Sequence, residues 1–391
     1  MKKLLAIVLA LAMVFCFAAC GEKEQGKEEK LVVKVGVFEP QTGDNGAGGK
    51  QEILGIDYAH SLYPTIELGG KTYDIELVKV DNRTSAENGP SAAAELVNQG
   101  VSVVVGSYGS GVSMAGGTVF KEAGVAAVGT SCTNPQVTSG CETYFRVCFT
   151  DPFQGPALAA YAYDTLGVRK AYSLGMNGSD YDLGLMHYFK EAFVKLGGEV
   201  IEEYFTEGTS NFVSYVNTAK EKGAGVIMAP VSINYAQLIV DAAAAQGFEG
   251  TLLGSDTWDN NQVAKACVGK KVDVVVTTFY QEGGDPTFDK GMKAFINSSS
   301  DNLANNGGND EVAAVTVMGY DAYMAAYEAI KKAGAPDAAS ILKAMPSASF
   351  EGVSGHIEYD SIGDAKRDVA YIKTANTKTG AWEFVTIQKV E

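Results

Sequence analysis

The sequence predicts an α/β protein of two doubly wound parallel-sheet lobes, joined by a hinge that the chain crosses three times. Three observations predict it. The chain has 391 residues, enough for two or three domains of about 100–200 residues each. From residue 31 onward short β-rich runs alternate with segments of helical period, the pattern of parallel sheets covered by helices on both faces. The rhythm then changes character three times, at 140–153, at 281–288 and again from 355. The alternating part holds too many strands for one comfortable sheet, so they divide between two lobes with a ligand cleft between them.

The first element is MKKLLAIVLALAMVFCFAAC (1–20). A basic start, an apolar run and a small-residue site read as a secretory signal peptide over 1–19, too short and wrongly flanked for a membrane span. Phe17-Ala18-Ala19-Cys20-Gly21 resembles the bacterial lipobox, which implies lipidation of Cys20 as the mature N-terminus. Residues 20–30 then form a polar tether without periodicity. No later segment reaches about 18 uncharged apolar residues, so the rest is expected outside the bilayer.

Nine strands are expected at 31–38, 73–80, 101–106, 125–129, 171–175, 199–205, 225–229, 251–254 and 272–279. Helical segments separate most of them: 51–63, 90–99, 111–123, 154–166, 183–196, 212–222, 233–246 and 260–267. A long helix follows at 313–334, closed by Gly334 with Lys331 and Lys332 in its last turn. Three short strands end the chain, at 355–359, 369–374 and 382–388. The boundaries assign 31–149 plus 280–345 to the first lobe and 150–279 plus 346–391 to the second.

Composition narrows the function. Net charge is −16, and Lys2 and Lys3 are the sole charges of the first nineteen residues, so the remainder carries −18. Phosphate binding needs clustered Lys and Arg, so a nucleic-acid partner is excluded. Three histidines give catalysis or metal binding little material, and no CxxC occurs. No metal and no cofactor are expected. Cys132, Cys141, Cys148 and Cys267 allow three complete disulfide pairings. The turn-rich segment between Cys132 and Cys141 would accommodate a local bridge; free buried thiols are the alternative.

Three near-motifs fail on their own chemistry. GDNGAGGKQ (43–51) has Asp44 where a P-loop needs glycine and Gln51 where it needs Ser or Thr. Gly46-x-Gly48 lacks the third glycine of a dinucleotide fingerprint. Gly111-Val112-Ser113-Met114-Ala115 approaches a nucleophile elbow, but Ser113 falls inside the expected helix, not at the strand end. His60 reads as a boundary residue. Tyr320, Tyr323 and Tyr327 share a helical face and read as packing.

The strand ends carry the better information. Ser107-Tyr108-Gly109-Ser110-Gly111 follows one strand, and Thr130-Ser131-Cys132-Thr133-Asn134-Pro135 follows the next. Small residues, hydroxyls and free backbone N–H groups gather where parallel α/β layers bind ligands. A helix N-terminus with Ser and Thr hydroxyls suits a carboxylate. From the second lobe, Gly254-Ser255-Asp256-Thr257-Trp258 offers a negative charge to the same cleft. An anion clamp facing a carboxylate fits an α-amino acid zwitterion. Ser110 and Asp256 as simple helix N-caps are the alternative.

With these residues in view, the chain resembles the substrate-binding proteins of branched-chain amino acid ABC transporters, of the type I periplasmic-binding-protein fold. The resemblance rests on KVGVFEPQTG, VSVVVGSYGSGVSMA, TSCTNPQVT, FRVCFTDPFQG, GSDYDLG, LLGSDTW and GHIEYDSIGDAKR. It implies that Ser110 and Thr133 hold the ligand carboxylate. The Ser131 carbonyl, the Thr133 hydroxyl and Asp256 would receive the ammonium, and Tyr181 would close over it. It also implies a monomeric, lipid-anchored extracytoplasmic receptor that delivers an amino acid to an ABC transporter permease. The family usually has Glu where Asp256 stands, and pocket aromatics where Gly48 and Val231 stand. The clamp is therefore kept while the side-chain pocket is rebuilt, with Tyr108, Trp258 and Phe153 available to refill it. Relatives of this fold also bind urea, short amides and aromatic acids. A ligand-sensing receptor of the same fold and, more remotely, an extracellular hydrolase using Ser113 are the competing readings.

Overall fold

The apolar runs become the central strands of two sheets. The computed structural model describes residues 30–389; the expected signal peptide, the lipidation site at Cys20 and the tether before residue 30 lie outside the described residues. The first lobe begins β1 (Val32–Glu39), α1 (Gly46–Leu62), β2 (Thr65–Leu68), β3 (Lys71–Asp81), α2 (Gly89–Asn98). It continues β4 (Val103–Val105), α3 (Ser110–Ala123), β5 (Ala126–Gly129), β6 (Tyr144–Arg146). Its strand order is β2-β3-β1-β4-β5-β6. The chain then crosses into α4 (Asp151–Ala160), β7 (Lys170–Met176), α5 (Asp180–Lys195), β8 (Glu199–Phe205), α6 (Val213–Glu221) and β9 (Val226–Met228). The second lobe goes on through α7 (Ile233–Gln246), β10 (Thr251–Gly254), α8 (Asn261–Ala266) and β11 (Asp273–Thr278).

A second crossing returns the chain to α9 (Pro286–Ile296), α10 (Ser300–Asn305), α11 (Ala314–Ala333) and α12 (Ala338–Ala344), followed by the hairpin β12 (Ser349–Gly352) and β13 (Gly355–Glu358). The hairpin is tied to α11, where Asp321 accepts the backbone N–H groups of Val353 and Ser354. A third crossing leads to β14 (Ala370–Ala375) and β15 (Trp382–Gln388). The second sheet runs β15-β14-β11-β10-β9-β7-β8. Two α/β lobes and three crossings are therefore observed as the sequence predicts.

The sheets are mixed, not purely parallel. β2 pairs antiparallel to β3, and β14 and β15 add antiparallel strands beside β11. The β2–β3 turn is Gly69-Gly70, with φ of 57° and 77°, the geometry a tight hairpin requires. Parallel pairing joins the other strands, out to the edge strands β6 and β8, and β4 and β9 in the interior of the sheets are wholly buried.

Two helices set the back wall of the first lobe. α1 and α11 cross so closely that a Cβ at Gly55 would lie 1.9 Å from the Thr316 carbonyl oxygen, and one at Gly319 would lie 2.1 Å from that of Glu52. The stretch expected to be irregular at 281–288 gives way to α9 at Pro286, capped by Asp285 through the N–H groups of Thr287 and Phe288. The tyrosine stripe packs as expected: Tyr320 meets Tyr58 and Phe288, and the Tyr323 hydroxyl donates to the Tyr63 carbonyl at 2.6 Å.

The Cys132–Cys141 bridge that the spacing allows is not formed. Cys132, Cys141, Cys148 and Cys267 are all free thiols. Cys132 is buried in the core with Tyr144, whereas Cys141 turns toward the Gly117 carbonyl and the Thr143 hydroxyl.

At the hinge, Arg146 is fully buried at the end of β6. Its Nε lies 2.6 Å from Asp364 Oδ1, on the third crossing. Its remaining N–H groups donate to the Cys132 and Asn134 carbonyls and to Thr138 Oγ1.

Candidate functional site

Both loops that follow β4 and β5 emerge at the same edge of the first sheet, and two buried carboxyls fasten them there. Glu39, at the end of β1, accepts the Tyr108 N–H at 2.9 Å. The Thr130 hydroxyl stands 3.0 Å from Glu39 Oε1 and 2.8 Å from Glu52 Oε2, and the Ser131 hydroxyl donates to Glu52 Oε1 at 2.5 Å. Burial pushes the Glu52 carboxyl up to about 7. Burial, together with the neighbouring Glu52 charge, pushes Glu39 up as well. Two carboxyls this close cannot both ionise cheaply, so one keeps a proton and bonds to the other.

Ser110 opens α3, and its hydroxyl accepts the Asn134 N–H at 3.2 Å. That bond links the two loops directly. The Ser131 hydroxyl is committed to Glu52, which leaves its carbonyl as the group available to a ligand. The Thr133 hydroxyl is buried and has no hydrogen-bond partner. Ser113 lies inside α3 with its hydroxyl bonded to the Gly109 carbonyl at 2.7 Å, so it plays a helical role.

The second lobe brings its own groups. Ser179 caps α5, and Tyr181 projects from the first turn of that helix. The Tyr181 hydroxyl lies 2.7 Å from both Asp256 Oδ1 and Ser255 Oγ; its single hydrogen suits the carboxylate. Gln154, on α4, donates to the same Asp256 oxygen at 2.7 Å and to Thr277 Oγ1 at 2.8 Å. Burial lifts Asp256 to about 6, while these hydrogen bonds pull it back toward ionisation. Asp256 therefore sits at the edge of titration near neutral pH.

The lobes meet across the cleft. Asn134 Nδ2 donates to the Asp180 carbonyl at 2.9 Å, and the Tyr108 hydroxyl reaches the Thr257 carbonyl at 3.2 Å. Asn260 Nδ2 donates to Gln51 at 2.7 Å. A cavity of about 450 Å³ opens between them, lined from one side by Tyr108, Ser110 and Arg83 and from the other by Tyr181, Asp182 and Thr257.

The aromatic positions separate. Tyr108 lies directly over Gly48: a Cβ there would stand 2.3 Å from Tyr108 Cε2. Trp258 is fully buried against Gly254 and does not line the cavity; its Nε1–H has no partner. Phe153 packs on Phe149, ring centroids 5.6 Å apart, at the hinge. Of the three candidates, Tyr108 is the one that occupies the room above Gly48.

Sequence reasoning missed Glu39, Glu52, Gln154 and Asp151. Glu39 was visible as a carboxylate ending an apolar strand. Asp151 and Gln154 stand in the DPFQG segment, which reads from sequence as a domain boundary.

Residues 32–378 match the profile of the periplasmic binding protein family. The chain is 28% identical over 370 residues to Leu/Ile/Val-binding protein homolog 1 of Brucella abortus, with 94% of each chain covered. Among solved structures it is similar to a leucine binding protein of Thermotoga maritima, with a TM-score of 0.80 and 31% identity over 91% of this chain and 99% of that one. The fold also matches a branched-chain amino acid transporter substrate-binding protein of Streptococcus pneumoniae in complex with isoleucine, with a TM-score of 0.78 and 24% identity over 92% and 99% of the two chains. These relatives are solute-binding proteins. With two α/β lobes, a hinge of three crossings and a polar cleft between the lobes, the chain belongs to the periplasmic binding protein family.

Proposed function

We propose that the protein is an extracytoplasmic lipoprotein, anchored through Cys20, that captures an amino acid in the interlobe cleft and hands it to the permease of an ABC transporter. The observation that carries this is the interlobe cavity where Tyr181, hydrogen-bonded to Asp256 behind it, faces Tyr108 and Ser110 at the strand-end loop of the other lobe; Asp256, Ser131 and Thr133 do not line that cavity. Ser110 and the Thr133 N–H suit the ligand carboxylate. The Ser131 carbonyl, the Thr133 hydroxyl and Asp256 suit its ammonium. The lobes, 31–149 plus 280–358 with the β12–β13 hairpin on α11, and 150–279 plus the strands from Ala370 onward, close on the ligand about the hinge, and no bond is made or broken. The protein acts as a monomer, and its closed form is what docks the permease. The names of the relatives point to branched-chain side chains. The Tyr108 ring over Gly48 argues for a pocket of different shape, so a related amino acid fits equally well.

A thermal-shift screen of refolded, ligand-free protein against all amino acids and a set of small amides tests this. Ligand at 100 times its dissociation constant stabilises a fold by about 2.7 kcal/mol, a shift of a few degrees. Response to one or more zwitterions is expected. Response only to amides, or to none of the panel, would remove the amino-acid reading.

A further inference from the structure

We propose that the hinge carries a second ligand site, separate from the cleft, which takes a small carboxylate with an apolar body and so biases lobe closure. A cavity of about 500 Å³ opens there, within the range of ordinary small-molecule pockets. It shares no lining residue with the interlobe cavity. All three crossings build it. Phe149 stands on the first, just after β6, Phe279 on the second, just after β11, and Arg367 on the third, before β14. Met318 of α11 and Tyr371 of β14 extend its apolar part.

The cavity sets an apolar wall beside a guanidinium. The Phe149 and Phe279 ring centroids lie 4.3 Å apart. Arg367 donates from Nε and Nη2 to the Val147 carbonyl, from Nη1 to the Ser354 carbonyl and from Nη2 to the Ser354 hydroxyl. All these partners are neutral, whereas Arg146 contacts the Asp364 carboxylate at 2.6 Å. Burial works against the Arg367 charge, and the Asp321 charge offsets part of that effect. Asp321 itself is taken up by the N–H groups of Val353 and Ser354 and by the Ser354 hydroxyl. The lining acids do not fill the role either. Glu358 is paired with Lys366 at 2.7 Å, and Asp368 is exposed and accepts none of the Arg367 N–H groups. A guanidinium has five N–H groups, and four are used. The fifth is on Nη1, which lies 3.6 Å from where a Cβ would stand at Gly355, another lining residue. A buried charge with neutral partners is costly. A carboxylate supplies the counter-charge that arginine favours, and the phenylalanine wall suits an apolar body behind it.

Lobe closure changes the angles between the crossings. A ligand seated against all three makes different contacts in the open and closed forms, so it shifts their populations. By linkage it then changes the affinity of the cleft. The site itself stands without the amino-acid reading above; its effect on the cleft rests on that reading.

Arg367 is also a structural tie between the first crossing and the hairpin, so the test leaves it in place. Refolded, ligand-free protein is titrated by calorimetry with phenylacetate and isovalerate, and with phenylacetamide and isovaleramide as their uncharged counterparts. At least one carboxylate is expected to bind saturably with a dissociation constant below about 1 mM, and about tenfold tighter than its amide. Val369→Trp fills the cavity from a lining position and should abolish this binding. Lys366→Glu puts a negative charge on a rim side chain that is 60% exposed, and should weaken binding about fivefold. If Val369→Trp fails to fold, Lys366→Glu decides alone. No saturable binding by either carboxylate, an amide that binds as tightly as its acid, or affinity unchanged in both variants overturns the proposal. The last result, with binding lost when an amino acid saturates the protein, would place the carboxylate in the cleft instead. Saturating carboxylate should also change the dissociation constant of any amino acid that binds by about fivefold; an unchanged constant overturns the bias on closure. If no amino acid binds, the amino-acid reading fails while the direct titration still decides the hinge site.

Discussion

At position 48 a methyl group has no room. Its Cβ would fall 2.3–2.9 Å from three atoms of the Tyr108 ring. Tyr108 is pinned at both ends, its backbone N–H donating to Glu39 and its hydroxyl to the Thr257 carbonyl. Gly48→Ala should cost about 1–3 kcal/mol by overpacking, and most of that cost should vanish in a Tyr108→Ala background. A double-mutant cycle in denaturant reads the coupling; additive effects would separate the two residues. Asp256→Ala removes a buried acceptor shared by Tyr181 and Gln154. It should weaken amino-acid binding roughly 10²–10³-fold, and an unchanged dissociation constant by calorimetry would take Asp256 out of the site. Asp256 was legible in the sequence because it follows an apolar strand in a short polar loop. Asp151 was not, because the Thr133 carbonyl that accepts its N–H belongs to a loop eighteen residues earlier in the other lobe, and no local spacing records that.

At the scale of elements, long periodic segments were legible and short or borrowed ones were not. The helix α11 ends where Gly334 takes a left-handed φ of 66°, as its last-turn lysines suggest. β6 escaped notice as a strand because three residues carry no period and its partners are remote. It pairs with β5 on one side and with Asp364 on the other. Arg146 makes that join a structural knot, since one buried guanidinium ties β6, the loop after β5 and the third crossing. Arg146→Met fills the volume but strands Asp364. The expected loss is about 3–5 kcal/mol, read as a lower denaturant midpoint at unchanged slope. A variant as stable as wild type would mean that Asp364 finds water or another donor, and that the knot holds less than its geometry implies.

At the scale of the molecule, the cleft concentrates buried acid. Glu39 and Glu52 stand together behind the loops, sharing the Thr130 hydroxyl, the Asp256 charge acts on both Glu52 and Asp151, and the Arg146 charge opposes the rise at Asp151. Asp259 adds further negative charge beside Asp256. Burial raises each of the four above the ordinary carboxyl range: Asp256 to about 6, Glu52 and Asp151 to about 7, and Glu39 well up. Folded protein then holds protons more tightly than unfolded chain. Their contribution is fully present below the unfolded range near pH 4 and is lost as pH rises through about 7. Ligand-free protein should therefore show a thermal midpoint that falls by several degrees between about pH 5 and pH 8. An amine ligand pairs with the ionised carboxylates, so it should stabilise the protein more at pH 8 than at pH 5 and flatten the decline. Scanning fluorimetry across that range, with and without the best-binding amino acid, measures both slopes. A ligand-free midpoint that rises with pH would mean that water or structural cations already neutralise the cleft. Equal decline with and without ligand would mean that the ligand's positive group lies away from these acids. Only the combination of a falling ligand-free curve and a flatter bound one fits a receptor whose empty cleft stores like charge that its ligand relieves.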